Sequence, residues 1–416
     1  MIELAEAIAL VEATAAPLSA RRQRLLDACG LTLAEPVVAD VDSPPWDRAM
    51  MDGFALRDGD VVAAGGTAIE LDVVVDLAAG DVTALEIRAG CCARIMTGAP
   101  IPAGADAVVP VECAVDGTAA SHAGGRVRLR DERFRPGQHV ARQGTAFRAG
   151  EPVLPAGSVL GAAEIGLAAE AGATHVVAAC RPRVAILSTG SELVSPEAMP
   201  AFGQTRNSNG PMLTAAARLL AAEPIPLGLV ADRPEAIRAA VAQGLAADVL
   251  LLSGGVSAGD LDLVPDMFRR CGVEKIFHKV RHKPGKPVWF GVYRRDDSTP
   301  TLVFGLPGNP ASSLVCFDLF VRPALMILAG RPRDTWHLPR SRARLTATAK
   351  AAADRPVYLP CRLERTPDSL IATPLPWTGS SDLRGFASAT GYIALPAGGA
   401  IHDPGTEVDV VLRSFR

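Results

Sequence analysis

Three short segments carry the residue types with the most chemical potential: Ser188-Thr189-Gly190-Ser191-Glu192, the run from Ser253-Gly254-Gly255 through Ser257 to Asp260-Leu261-Asp262, and Gly305-Leu306-Pro307-Gly308-Asn309-Pro310. Glycine pairs such as Gly254-Gly255 let backbone N–H groups approach an anion closely. A helix beginning just beyond adds the positive end of its dipole, a combination that suits phosphate. Asp260 and Asp262, with Glu192 from the first segment, offer hard oxygen donors of the kind that hold Mg²⁺ beside phosphate. Asp260 reads equally well as a cap for a helix starting near Leu261. A fourth segment, Lys283-Pro284-Gly285-Lys286-Pro287, follows Lys279 and Arg281 and presents lysines from a proline-bounded turn, where they meet anionic oxygens as point charges. Taken alone it also fits a solvated basic hairpin. His278 and His282 share this ribbon without metal-ligand spacing and read as structural. A phosphorylated ligand is the expectation.

These segments need a scaffold that brings them to one place. Between Arg183 and Arg331 short apolar runs at 184–187, 225–230, 249–252, 287–292 and 301–304 alternate with helical patterns at 209–222, 234–245, 261–270 and 310–328. Runs apolar on both faces, such as 249–252, fit a parallel sheet covered by helices on each side. In such sheets ligands bind beyond the carboxyl ends of the strands, where the three segments would open together. Upstream, Leu4, Ile8 and Val11 mark one helix face, and a second helix is expected from Ser19 through Leu25 and Leu26 to Gly30. From about Pro36 to Ala149 β-rich runs such as 69–75 and 126–130 take over, and a helix returns at 159–171, so the β part reads as an insertion. After Gly330 strands at 344–348, 392–395 and 408–411 suggest a small barrel or sandwich.

The 416 residues amount to roughly two to three ordinary domains. A formal charge of -3 supplies no overall field for a phosphate backbone or an anionic membrane, so nucleic acid and membrane are excluded as expected partners. The uncharged run 298–317 is broken by Pro300, Pro307 and Pro310 and reads as strand, loop and helix. Met1-Ile2-Glu3, with Glu6 and Glu12 following, lacks the basic start of a signal peptide, and a cytoplasmic protein is expected. The eight cysteines are scattered without zinc spacing; the neighbours Cys91 and Cys92 read as small buried hydrophobes rather than a redox pair.

Met51-Asp52-Gly53-Phe54-Ala55, Arg94-Ile95-Met96-Thr97-Gly98-Ala99-Pro100 running on to Val109, and the four segments above together resemble one family, the molybdopterin molybdenumtransferases: the MoeA proteins of bacteria and the related E domain of gephyrin. The resemblance covers essentially the whole chain. It implies an α/β plus β multidomain protein, with a split N-terminal domain at 1–45 and 140–178, an inserted β domain at 46–139, a doubly wound, mostly parallel molybdopterin-binding domain at 179–330 and a C-terminal β barrel at 331–416. It implies a homodimer that binds adenylyl-molybdopterin and molybdate, cleaves the phosphoanhydride with Mg²⁺, and releases AMP and molybdenum cofactor. Contacts with a molybdopterin adenylyltransferase and with recipient molybdoenzymes go with that role. By the same resemblance Asp52, Thr97, Glu192, Asp232 and Asp262 are the catalytic candidates, and Glu192, Asp260 and Asp262 the metal ligands. Ser188, Thr189, Gly190, Ser253, Gly254, Gly255, Ser257, Lys283, Lys286, Pro307, Gly308, Asn309, Pro310, Arg355 and Ser380 are the binding candidates.

The sequence also departs from the family pattern. Arg142-Gln143-Gly144-Thr145-Ala146 lacks an acidic pair usual there, Ser191 replaces an Asp, and Ala49 replaces a Ser. Two alternatives follow: a molybdopterin adenylyltransferase, which shares the Gly-Gly-x-Ser type of loop and the sheet but not the flanking domains, and a catalytically weakened paralogue acting as a dimeric cofactor-binding scaffold.

Overall fold

A computed structural model describes residues 1–256, 263–295 and 299–413. The chain divides into two compact units, one of Met1–Gln23, Gly30–Ala34 and Val177–Arg416, the other of Arg24–Cys29 and Glu35–Val176.

In the first unit the strand Val249–Ser253 is buried at every position. A run with no polar face has to lie between two layers. Arg183–Thr189 and Thr301–Leu306 flank it in parallel, and Glu223–Val230 lies parallel outside Arg183–Thr189. Trp289–Tyr293 and Glu274–His278 add two antiparallel strands and complete a six-stranded sheet. Successive side chains then enter opposite cores. Val184, Ile186, Val249, Leu251 and Phe304 face one, which the helices Asn209–Leu219 and Pro310–Cys316 cover. Ala185, Leu187, Leu250, Leu252 and Val303 face the other, under the helices Pro234–Gly244 and Val264–Arg270. Each such valine or leucine contributes about 2 kcal/mol by leaving water, and a slip of one residue would exchange the two faces.

This is the doubly wound, mostly parallel sheet that the spacing predicts. Of the helix expected at 261–270, residues 261 and 262 lie outside the described residues and Val264–Arg270 is helical. The edge strand Glu274–His278 is not anticipated, because only a brief pattern separates the helix from the basic turn. The helix at 310–328 forms with a π turn at Phe317–Val321, and its apolar window is 89% buried within the protein. The helix expected from Ser19 to Gly30 is a correction: Ala20–Arg24 is a strand and Leu26–Ala28 a 3-10 turn. Arg21, Arg22 and Arg24 are exposed there, so no apolar stripe at helical spacing exists to be buried.

Five strands, Arg340–Leu345, Leu370–Pro374, Val357–Arg365, Gly391–Leu395 and Glu407–Leu412, close a barrel. Ala343 and Leu345 fill it while Arg340, Arg342 and Arg344 point outward, so the strand expected at 344–348 starts earlier. The second unit holds a five-stranded sheet in the order Ala107–Pro110, Gly53–Leu56, Cys91–Ile95, Ile69–Leu77, Arg126–Leu129. Gly53 admits no side chain, since a Cβ would lie 2.1 Å from the Val109 carbonyl oxygen. Cys92 is buried in this sheet, and burial pushes its thiol up to about 12, in keeping with a small hydrophobe. No disulfide is present among the described residues.

Where the helical run 310–328 meets the barrel, buried Asp318 accepts hydrogen bonds from the Tyr392 hydroxyl at 2.6 Å and Arg413 Nε at 2.7 Å. Burial first, and then the Asp318 charge, push the Tyr392 phenol well above its ordinary range. Asp318→Ala leaves the Arg413 charge and the Tyr392 hydroxyl without their acceptor. The expected cost is about 3 kcal/mol, read as a lower urea midpoint at unchanged slope; an unshifted midpoint would remove the network from the account of stability.

Candidate functional site

The site follows from strand register. Ser188 pairs with Ser253, and Ser253 with Leu306, so the loops after all three strands leave the sheet at one edge. Ser188 and Ser253 are buried, their hydroxyl oxygens 3.0 Å apart, at the base of these loops. Gly254 N–H donates to the Leu306 carbonyl at 3.1 Å, and Gly254 adopts φ +101° with its Cα pressed on the neighbouring loop. A Cβ at Gly254 would lie 2.1 Å from the Thr189 carbonyl oxygen, so glycine is required. Asp232, beyond Glu223–Val230, accepts the Ser191 N–H at 3.0 Å through one oxygen and the Thr189 hydroxyl through the other. Its carboxylate is therefore engaged in holding the first loop. Glu192 is different: it makes no hydrogen bond or ion pair through its carboxylate to any described residue, and both its oxygens lie over Gly190, 2.9 Å from where a Cβ would stand.

The basic turn is fastened to the barrel. Lys283 N–H donates to the Pro356 carbonyl at 2.9 Å, and Tyr358 N–H donates to the Lys283 carbonyl at 2.8 Å. The Lys283 ammonium stands 5.8 Å from the centre of the Trp377 ring. Gly285, at φ +114°, passes so close to the long helix that a Cβ would sit 2.5 Å from Cys316 Sγ. His282 is fully buried behind the turn, and burial pushes its pKa down to about 4, leaving a neutral imidazole at pH 7. Arg355 pairs with Asp354 at 3.0 Å and holds that carboxyl below its usual range. Asn309 Nδ2 donates to the Ser380 hydroxyl at 2.8 Å, and Ala311 N–H to the Ser380 carbonyl at 3.1 Å.

A cleft of about 860 Å³ opens between these parts. From the sheet edge it is lined by Thr189, Gly190, Glu192, Asp232, Ser253, Gly254 and Gly255; from the start of the long helix by Pro307, Gly308, Asn309 and Pro310; and from the basic turn and the C-terminal part of the chain by Lys283, Lys286, Arg355 and Ser380. Ser188 is buried rather than lining. Ser257, Asp260 and Asp262 lie outside the described residues. Among the lining residues that the sequence did not single out are Asn207, Asn209 and Trp377. The first two carried a signal, an Asn-Ser-Asn start to a predicted helix, and Asn209 Nδ2 indeed reaches across to the Gly308 carbonyl at 2.7 Å. Trp377 carried none. Among the described residues no group of three His, Cys, Asp or Glu side chains could hold a metal ion.

Asp52 and Thr97 belong to the second unit. The antiparallel register opposes Gly53 to Ile95, which brings the residues just beyond the two strands together. Asp52 Oδ1 accepts both the Thr97 hydroxyl and the Thr97 N–H at 2.7 Å, and these bonds lower its pKa. In the same unit the segment lacking an acidic pair lies against acids from elsewhere: Asp47 accepts from Arg142 at 2.6 Å and from Gln143 N–H at 2.8 Å, and Asp42 from Gln143 Nε2 at 2.8 Å.

The sheet, the amide-rich loops and the lysine turn define an α/β protein whose cleft, lined by backbone amides and lysines, is completed by a β barrel. Residues 2–172 match the model of the MoeA N-terminal region (domain I and II), 185–326 that of a probable molybdopterin binding domain, and 342–412 that of the MoeA C-terminal region (domain IV). Similar curated proteins include molybdopterin molybdenumtransferase 2 of Mycobacterium tuberculosis, 36% identical over 93% of each chain, and the molybdopterin molybdenumtransferase of Synechococcus elongatus, 34% identical over 96% of each. Among solved structures, the molybdopterin biosynthesis MoeA protein of Pyrococcus horikosii covers 100% of each chain at 29% identity with a TM-score of 0.80. The chain belongs to the molybdopterin molybdenumtransferase family.

Two outcomes test the local geometry. Gly254→Ala meets both a wrong φ and the Thr189 carbonyl, and is expected to destabilise the first unit by about 2 kcal/mol; a thermal midpoint equal to that of the parent would contradict the close approach. Because the folded pKa of Asp52 is depressed, its bonds to Thr97 are fully formed above the ordinary value of 3.8 and are lost only as pH falls through the lower folded value. In an acid NMR titration the Thr97 amide should hold its shift at pH 3.8 and move below it; movement centred at or above 3.8 would count against the bonds.

Proposed function

We propose that the cleft of the first unit binds adenylyl-molybdopterin and molybdate, and that the chain acts as a transferase inserting molybdenum into the dithiolene, with release of AMP and molybdenum cofactor. Family membership carries the role in molybdenum insertion. The observation that carries the site is convergence: glycine-rich amides from two loops, the Pro310 end of the long helix and two lysines face one cleft at the carboxyl edge of the sheet. Such an arrangement offsets the charge of a phosphoanhydride and of a tetrahedral metal oxyanion, and it does so with groups already held in place.

The residues favour positioning over covalent catalysis. Among the described lining residues there is no cysteine, and His282 is buried and neutral. Lys283 and Lys286 meet the oxyanion charge, the Gly254 and Gly255 backbone meets phosphate, and Asp232 keeps the Thr189 loop in place. Mg²⁺ dependence belongs to the proposal. Mg²⁺ is commonly held by one or two carboxylates together with substrate phosphates, which fits the uncommitted Glu192 carboxylate, joined in this reading by Asp260 and Asp262. When bound, the ion offsets charge developing on the leaving phosphate. Asp52 and Thr97 are assigned to the same reaction, and so are the homodimer, the cytoplasmic setting, the contacts with an adenylyltransferase and with recipient molybdoenzymes, and the division at 45, 139, 178 and 330.

Purified protein given adenylyl-molybdopterin, Mg²⁺ and molybdate should release AMP and form cofactor that reconstitutes an apo-molybdoenzyme. Lys286→Ala should lower kcat/KM by about tenfold or more, from the loss of one charged hydrogen bond. No AMP above the blank would favour the scaffold alternative; consumption of ATP with pyrophosphate release would favour the adenylyltransferase.

A further inference from the structure

Lys283 is held twice, and both restraints come from the barrel side. Its backbone is fastened to Pro356 and Tyr358, and its ammonium stands 5.8 Å from the Trp377 ring centre. An ammonium is a compact, strongly hydrated charge on a flexible stem, so nothing in the side chain itself fixes where that charge rests. The face of an indole does, because its ring quadrupole attracts a cation, tryptophan most strongly of the aromatic residues. The ring is itself fixed. It packs edge-on to Phe386 at 5.9 Å and 79° and touches both the core beneath the sheet and the core of the barrel.

A second, separate observation concerns hydrogen bonding. Trp377 lines the cleft, yet its Nε1–H is buried with no acceptor among the described residues. Buried polar groups are nearly always partnered, and an orphan donor costs free energy until something accepts from it. An unpartnered buried ring nitrogen therefore belongs to the same residue that stands beside the lysine.

We propose that Trp377 is the positioning residue of the cleft's oxyanion pole: its ring holds the Lys283 ammonium where a tetrahedral oxyanion is met, and its indole N–H completes the donors around that oxyanion. The proposal rests on the reading that molybdate and a nucleotide phosphate enter this cleft, and either anion has the required chemistry. The barrel is then part of the binding machinery. Charged contacts come from the α/β loops, but their location is set by a ring on the barrel side.

The test is a double-mutant cycle on the full-length protein, with molybdate and AMP titrated separately by calorimetry. Trp377→Leu should weaken binding of at least one of the two anions by about tenfold. Trp377→Phe, which keeps a ring but loses the N–H, should weaken it by about threefold. In a Lys283→Met background the Trp377→Leu change should cost only the N–H contact, about threefold, since the ring then has no ammonium to place. The anion that shows this dependence is the one the pole receives. Equal losses with and without Lys283, or anion binding by Trp377→Leu within twofold of the parent, overturn the proposal. If Trp377→Leu lowers the thermal midpoint, Trp377→Phe alone decides, and unchanged binding there overturns the N–H contact. Failure of the parent protein to bind either anion overturns the cleft reading itself, and the proposal with it.

Discussion

The cleft exists because Arg183–Thr189, Val249–Ser253 and Thr301–Leu306 are held in parallel register with both faces dry. Parallel strands all point their carboxyl ends the same way, so three loops separated by dozens of residues emerge side by side. The burial of Val249–Leu252 on both faces fixes the register, since a slip of one residue would exchange what faces each helical layer. Everything at the site inherits its placement from that constraint. Gly254 can press on the Thr189 carbonyl only because Ser188 and Ser253 are opposite one another, and Asn209 can reach the Gly308 carbonyl only because their strands' loops share an edge.

The barrel solves a different problem. A turn rich in lysine repels itself and tends toward solvent, and Lys283-Pro284-Gly285-Lys286 would do so if left alone. Two backbone hydrogen bonds to the Pro356–Tyr358 stretch, a glycine tucked against Cys316 and an indole under the ammonium keep it facing the cleft. The Asp318, Tyr392 and Arg413 network then anchors the barrel to the long helix whose start lines the same cleft. Stability and site geometry are thus coupled through one helix, buried along most of its length.

Carboxylates in the first unit divide by their surroundings. Asp232 and Asp354 are engaged with partners and act on loop shape and local charge, whereas Glu192 stands uncommitted at the cleft. In the second unit Asp52 is kept ionised by two bonds from Thr97, and Asp42 and Asp47 stand against the segment that lacks acids of its own. Residue type alone did not separate these roles; hydrogen-bond partners did.

Much was legible beforehand. The continuous apolar runs at 184–187 and 249–252, the helical spacing at 234–245 and the glycine pair at 254–255 fix local conformation through sterics and burial, and these act over a few residues. The expected helix through 25 and 26 failed on the same ground, because two adjacent leucines do not make a stripe. What the sequence left open was every relation between distant segments. That Asp232 would be tied to Thr189, that Asn207 and Asn209 would line the cleft, and that Trp377 would stand beneath Lys283 depend on which loops share an edge. Composition and spacing determined the sheet, the helices and the supply of cations and amides. Only the tertiary structure decided which of them face one another, because contacts across the cleft are set by packing of both sheet faces and closure of the barrel, and no local pattern encodes those.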